Sequence, residues 1–303
     1  MKSKVLRKKV FTPASGRDLV YSFSEGEGVP LIFLNGLGDS MESWAAVLEL
    51  LPTNRPCLLV DLPGQGEALE LELQASSIHS YHLPIEQQAA ALKELLDFLG
   101  VEKFGLVGFS YGGGVALGMV QRHRDLVEDL ILMLPFILRL DLSFPLARLW
   151  VAQFDFLKSL TPQHLRHPFQ ALERSYERFI DHYMSFRYLK RIPDERYRQV
   201  AVELSRGIME FNSFEVISQI PEDKLVLVTS GMDTLVPQSL YQEFWCRIPE
   251  HQKRAWVNVL NGEHLLLEQA PEYVAEVLKK ALQGELRGVL KATLGRAKQE
   301  QSL

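Results

Sequence analysis

Ser110 stands in Gly108-Phe109-Ser110-Tyr111-Gly112, directly after the apolar run from Phe104 to Phe109 and before a run of small residues that reads as a helix. A serine at a strand-to-helix turn, with glycine two positions away on either side, is the pattern of an exposed nucleophile on a strained turn. The reason is steric: so sharp a turn forces unusual backbone angles at the serine and brings neighbouring backbone close, so its flanks must be small. The start of the following helix adds free N–H groups where negative charge would develop. A glycine-rich turn can instead cradle a phosphate, but no Gly-Lys-Ser/Thr follows, and the glycines lack the G-x-G-x-x-G register.

A serine hydroxyl is a weak nucleophile without a general base. Of the eight histidines, His79 and His82 fall in a polar loop, and His123 ends a helix, where a cation suits the dipole. His164, His167 and His182 fall in a segment that interrupts the strand pattern, and His251 follows Pro249 in a turn. His264 differs: it follows the last apolar strand, in a glycine-containing turn before a terminal helix, at the same sheet edge as Ser110. Taken alone it reads as a capping or core histidine. The carboxylate candidate is Asp233 in "VTSGMDTLVP", just past the preceding strand. Asp141 competes for that role, and Glu263 adjoins His264 with its side chain expected to point elsewhere. Asp and Gly are common in loops, so the argument rests on order: Ser, Asp and His each follow a different strand. Oxyanion donors are expected from the loop "LNGLGDS", Leu34 to Ser40, through the N–H of Leu37, and from the N–H of Tyr111 beside the nucleophile.

The elements that must position these groups alternate along the chain. "VPLIFL", "CLLVDL", "FGLVGF" and "VEDLILML" are continuously apolar, as strands covered on both faces are, while "DLVYSF" alternates like a half-exposed strand. "SWAAVLELL" and "EQQAAALKELLDFLG" between them read as helices, the second closing on a glycine. Further strands are read at "KLVLVTS" and "RAWVNVL", each followed by a helix. Strand and helix in alternation imply an α/β fold with a mostly parallel sheet between helices. The alternation stops over residues 136–212, a mainly helical stretch that holds 13 of the 29 aromatic residues. That concentration fits an inserted cap over the sheet's carboxyl end, its rings packing on one another or lining an apolar pocket.

Composition narrows the classes. With 303 residues, 47% hydrophobic and 23% charged, the chain can bury a large core, and a formal net charge of −5 gives no reason to expect a nucleic-acid partner. Two cysteines, Cys57 and Cys246, in unrelated contexts suggest neither a disulfide framework nor a metal site, so a reducing, cytoplasmic setting is expected. The basic start "MKSKVLRKKVF" lacks the apolar core of a signal peptide.

Five stretches at strand ends now stand in order: "FLNGLGDS", "DLPGQGEA", "GFSYGG", "GMDTLVP" and "GEHLLLEQAPE". Together they resemble the α/β-hydrolase superfamily, in its capped branch of serine hydrolases, over nearly the whole chain. The resemblance implies an eight-stranded, mostly parallel sheet flanked by helices, with core residues 1–135 and 213–303 and a helical cap at 136–212. It implies Ser110 as nucleophile, Asp233 as acid and His264 as base, with no metal or organic cofactor. It also shows two departures: Asn35 and Gln65 stand where the family's loops often carry histidine. Serine rather than aspartate at position 110 argues against a dehalogenase or epoxide hydrolase.

The expected substrate is a small molecule, a carboxylic ester with an apolar acyl or alcohol part; thioesters, lactones, amides and C–C bonds yield to the same machinery. A non-catalytic ligand-binding protein on the same fold is the remaining alternative. The tail from Leu282 reads as an extra helix, with Leu286, Val289, Leu290 and Leu294 as an apolar stripe and Arg287, Lys291, Arg296 and Lys298 on other faces. Packing on the domain is its plain role; peripheral contact with anionic lipid is the second. Oligomeric state is not legible.

Overall fold

The computed structural model describes residues 7–74, 83–137, 200, 203–204, 206–233 and 235–294. Nine strands form one sheet among them: β1 (Lys8–Phe11), β2 (Leu19–Phe23), β3 (Leu31–Leu34), β4 (Cys57–Asp61), β5 (Phe104–Phe109), β6 (Val127–Met133), β7 (Leu225–Ser230), β8 (Lys253–Val259) and β9 (Gly288–Ala292). Their spatial order is β1-β2-β4-β3-β5-β6-β7-β8-β9. The pairs β1/β2 and β2/β4 are antiparallel, and every other pair is parallel.

Strand side chains alternate between faces, and both faces are covered. Ile32, Leu58, Leu106, Leu130 and Leu227 enter one core. Their neighbours Phe33, Leu59, Val107, Ile131 and Val226 enter the other. On the first face, α3 (Ile85–Phe98), α4 (Tyr111–His123) and α5 (Gln238–Arg247) contribute Leu92, Val115 and Phe244. On the second, α1 (Ala45–Leu50), α6 (Leu266–Gln269) and α7 (Pro271–Leu282) contribute Val47, Leu266 and Val274. A further helix, α2 (Gly66–Gln74), sends Ala68 to one core and Leu69 to the other.

The site follows from the strand order. The chain leaves β3 toward β4 on one side, and its next strand, β5, lies on the other side of β3. The two loops at the carboxyl ends of β3 and β5 therefore part, and the crevice between them is where an open α/β sheet binds ligands. Those loops carry Leu37 and Ser110.

The tail corrects the sequence reading. Leu286, Val289, Leu290 and Leu294 do not form a helical stripe; residues 288–292 pair as β9 with β8, from Ala255↔Gly288 to Val259↔Ala292. The apolar spacing satisfies a helical period, but Gly284 and Gly288 both take positive φ (72° and 69°), which an α-helix cannot hold. The open edge of β8 supplies the backbone partners instead, and the sheet gains a strand over the eight expected. Asn261 then closes the tail by bonding the backbone of Leu294 in both directions. At the other edge the basic start supplies β1, with Lys8 bridging Glu42 at 2.6 Å and Glu67 at 3.1 Å.

The proposed cap, 136–212, lies outside the described residues except for 136–137, 200, 203–204 and 206–212. The same holds for His79, His82, Asp141, His164, His167, His182, Arg296 and Lys298. Among the described residues, no helix is long and apolar enough to cross a membrane, and no group of three or more His, Cys, Asp or Glu is placed to hold a metal ion.

Candidate active site

Ser110 joins β5 to α4 with φ 51° and ψ −112°, a left-handed-side conformation that a residue with a side chain rarely takes. Such a residue stores about 1–3 kcal/mol and persists only where its surroundings fix it. Here its N–H donates to Met133 O at 3.0 Å, and its carbonyl accepts from Gly113 N and Phe136 N, each at 3.0 Å. The glycines permit the turn. A Cβ on Gly108 would lie 2.5 Å from Gly112 O, and one on Gly112 would collide with Leu34 O and lie 2.6 Å from Leu34 C. Gly112 N donates to Asn35 O at 2.9 Å, tying the first turn of α4 to the end of β3.

His264 arrives from the loop after β8. Its Nε2 lies 2.8 Å from Ser110 Oγ, and its Nδ1 lies 3.0 Å from Asp233 Oδ2. Ser110 and His264 are buried, and the Asp233 side chain is fully so. The loop after β7 fixes the carboxylate: Asp233 Oδ1 accepts from Leu235 N at 2.8 Å and Val236 N at 3.1 Å, while Oδ2 also accepts from Tyr241 Oη at 3.1 Å. Burial, then the Asp233 charge, pushes the Tyr241 hydroxyl well above its ordinary pKa, so it stays a donor. An ionised carboxylate only accepts, so Nδ1 must carry the imidazole proton and Nε2 presents its lone pair to Ser110. The Phe109 ring packs on the imidazole, centroids 5.6 Å apart. This arrangement can draw the proton from Ser110 while Oγ attacks an electrophile.

The Leu37 loop runs beside the serine. A Cβ on Gly36 would lie 3.7 Å from Ser110 Cβ and 3.1 Å from the Phe109 ring. Among the described residues, the N–H groups of Leu37 and Tyr111 meet no backbone carbonyl. Buried side chains brace this loop. Asn35 Nδ2 donates to Asp61 Oδ1 at 2.9 Å, Met41 N donates to the same oxygen at 2.6 Å, and Glu67 N to Asp61 Oδ2 at 3.1 Å. Gln65 Nε2 donates to Gly36 O at 3.1 Å. Burial pushes the Asp61 carboxyl up to about 6 against these donors; Asp39, on the same loop, is also raised to about 6 by burial.

Sequence reasoning brought Ser110, Asp233 and His264 to one place, and the structure gathers them. It missed Tyr241, which the sequence presents as one aromatic among several in "QSLYQEFW", and Phe109, the unspecified residue of its own motif. Asp61 was likewise passed over; the signals for its network were Asn35 and Gln65, noted only as departures.

Comparison with known proteins places the fold in a family. The profile of the alpha/beta hydrolase family matches residues 31–277. A soluble epoxide hydrolase from Corynebacterium sp. (strain C12) is 31% identical over 123 residues, 40% of this chain and 40% of that protein. A 2-hydroxymuconate semialdehyde hydrolase from Pseudomonas sp. (strain CF600) is 29% identical over 131 residues, 40% of this chain and 44% of that protein. The chain thus spans less than half the length of either relative. Among solved structures, the enol-lactonase from Burkholderia xenovorans LB400 superposes with a TM-score of 0.64 at 16% identity, covering 91% of this chain and 100% of that one, a likeness of fold.

Proposed function

Because the chain belongs to the alpha/beta hydrolase family, we propose that it is a serine hydrolase cleaving a carboxylic ester with an apolar acyl or alcohol part. The observation that carries this reading is the run of contacts from Ser110 Oγ through His264 to Asp233, 2.8 and 3.0 Å, beside two N–H groups without backbone partners. In the proposed cycle His264 takes the Ser110 proton as Oγ attacks the carbonyl, and the N–H groups of Leu37 and Tyr111 receive the oxyanion. The imidazolium protonates the leaving alcohol, and the acyl group stays on Ser110. Water, deprotonated by the same ring, then releases the acid and restores the serine. These steps call on no metal or organic cofactor.

The segment 136–212 is proposed to cap this site. Its ends support that role: Phe136 N bonds Ser110 O, and Val200, Leu204 and Ile208 lie against Gly64 and Gly114, where added Cβ atoms would meet them at 3.1, 3.5 and 2.8 Å. A cap rich in aromatic residues would favour an apolar substrate.

The epoxide hydrolase among the relatives raises a competing chemistry that Ser110 disfavours. A carboxylate opening an epoxide yields an ester that water can hydrolyse, whereas a serine would be left as an unreactive ether. The 2-hydroxymuconate semialdehyde hydrolase supports a second reading, in which the same residues cleave a different bond next to a carbonyl. Labelling by a fluorophosphonate, with and without Ser110→Ala, tests both together with turnover of p-nitrophenyl esters of graded chain length. Labelling that depends on Ser110 with ester turnover supports the esterase; labelling without turnover favours the second reading. A folded protein that resists the probe refutes the serine mechanism.

A further inference from the structure

Gln65 has a role that the resemblance did not offer. It sits in the turn between β4 and α2, where Gly64 and Gly66 take positive φ (81° and 45°), and its N–H donates to Leu62 O at 2.9 Å. That turn wraps the Asp61 carboxylate so closely that a Cβ on Gly66 would lie 2.7 Å from Asp61 Oδ1. Gln65 is thus a side chain on a stiff post, fully buried, and its Nε2 reaches Gly36 O at 3.1 Å.

Gly36 O and Leu37 N–H belong to one peptide unit. The unit is planar and trans, so its carbonyl and its N–H point in opposite directions. Whatever fixes the carbonyl also aims the N–H. The peptide joins Gly36 to Leu37, so on its Gly36 side no side chain resists rotation of the plane. The other described donor to Gly36 O is Asp39 N at 3.3 Å, from the same loop. Asp61 holds the loop's two ends, through Asn35 and Met41, but among the described residues only Gln65 reaches from outside the loop to the plane itself.

We infer that Gln65 is a positioning residue for the hydrolytic step, aiming the Leu37 N–H at the oxyanion by holding the carbonyl of the same peptide unit. This rests on the serine-hydrolase reading and deepens it. A donor misaimed by a rotated plane weakens stabilisation of the transition state more than binding of the ground state, so the effect belongs in kcat.

One further fact separates this role from a merely structural one. Gln65 Oε1 is buried and has no hydrogen-bond partner among the described residues. Gln65→Met removes that orphan acceptor along with the donor, at nearly equal volume, so the fold should keep its melting temperature while catalysis suffers.

The test compares wild type, Gln65→Met and Gln65→His on a p-nitrophenyl ester, with thermal melts and fluorophosphonate labelling in parallel. Gln65→Met is expected to lose about 10- to 100-fold in kcat, with KM changed less than about threefold. Gln65→His, which keeps a ring N–H donor, should recover most of that loss. A Gln65→Met protein that melts like the wild type and keeps kcat within about twofold overturns the inference and leaves the hydrolase reading standing. A wild type that neither turns over ester nor labels at Ser110 overturns both. If Gln65→Met does not fold, Gln65→Glu decides by its pH profile. A protonated acid can donate to Gly36 O and an ionised one repels it, so its kcat relative to wild type should rise as pH falls, and a flat ratio refutes the inference.

Discussion

Replacing Asp233 by asparagine should disable the site through the imidazole tautomer, and the structure says which way the new amide must face. Asp233 Oδ1 receives two backbone N–H groups, from Leu235 at 2.8 Å and Val236 at 3.1 Å. An NH2 group there would face two fixed backbone donors, so the amide oxygen takes that position and the NH2 takes the place of Oδ2, where the neutral Tyr241 hydroxyl can turn its hydrogen away and accept. It then stands about 3.0 Å from His264 Nδ1, which must accept rather than donate. The ring proton moves to Nε2 and points at Ser110 Oγ, 2.8 Å away, so the base is lost although every atom keeps its place. The expected loss in kcat is about 10⁴-fold, or roughly 5.5 kcal/mol at 1.36 kcal/mol per tenfold. Steady-state hydrolysis of a p-nitrophenyl ester measures it, with the rate of fluorophosphonate labelling as a second readout and a thermal melt to show an intact fold. A folded Asp233→Asn protein that loses less than about tenfold would mean that this carboxylate does not set the tautomer, and the assignment of the acid would fall.

Three further outcomes are expected. Tyr241→Phe keeps the ring but removes a donor from Asp233 Oδ2, leaving the carboxylate one tie fewer to hold it against the imidazole; kcat on a p-nitrophenyl ester should fall by roughly threefold to tenfold, and an unchanged kcat would contradict this. Gly112→Ala gains about 1 kcal/mol of helix propensity but sets a methyl against the backbone of Leu34 and Asn35; overpacking of about 3 kcal/mol should win, and urea unfolding that shows any gain in stability would refute it. Asp61, raised by burial to about 6, is protonated more readily in the folded chain than in the unfolded one. Its contribution to stability is therefore full below about pH 4 and lost as pH rises through about 6, a change of order 3 kcal/mol. Denaturant midpoints from pH 4.5 to 7.5 should decline less steeply in Asp61→Asn than in the wild type.

Much of this was legible because the same residues served local and distant constraints together. Continuous apolar runs marked strands covered on both faces, and glycines two positions either side of Ser110 marked a turn that only small residues allow. The tail misled because apolar residues at Leu286, Val289, Leu290 and Leu294 satisfy a helical period, while the deciding influence, an unpaired edge of β8, is distant in sequence. Tyr241 was invisible for a related reason: a buried aromatic on a helix looks the same whether its hydroxyl meets water or a carboxylate. Asn35 and Gln65 were noticed as absences of histidine, and their purpose emerges only once Asp61 and Gly36 lie opposite them.

The separation of the contacting residues along the chain has a temporal consequence. His264 meets Ser110 across 154 positions and Asp233 across 31. At about 5–20 residues per second of synthesis, the serine emerges on the order of 10 s before the ring that would activate it. A nascent or half-refolded chain can thus own the strained turn and much of the sheet while remaining chemically inert. Recovery of turnover after dilution from denaturant should trail the return of secondary structure, making hydrolysis a late clock for the docking of β7, β8 and α7 onto the earlier strands.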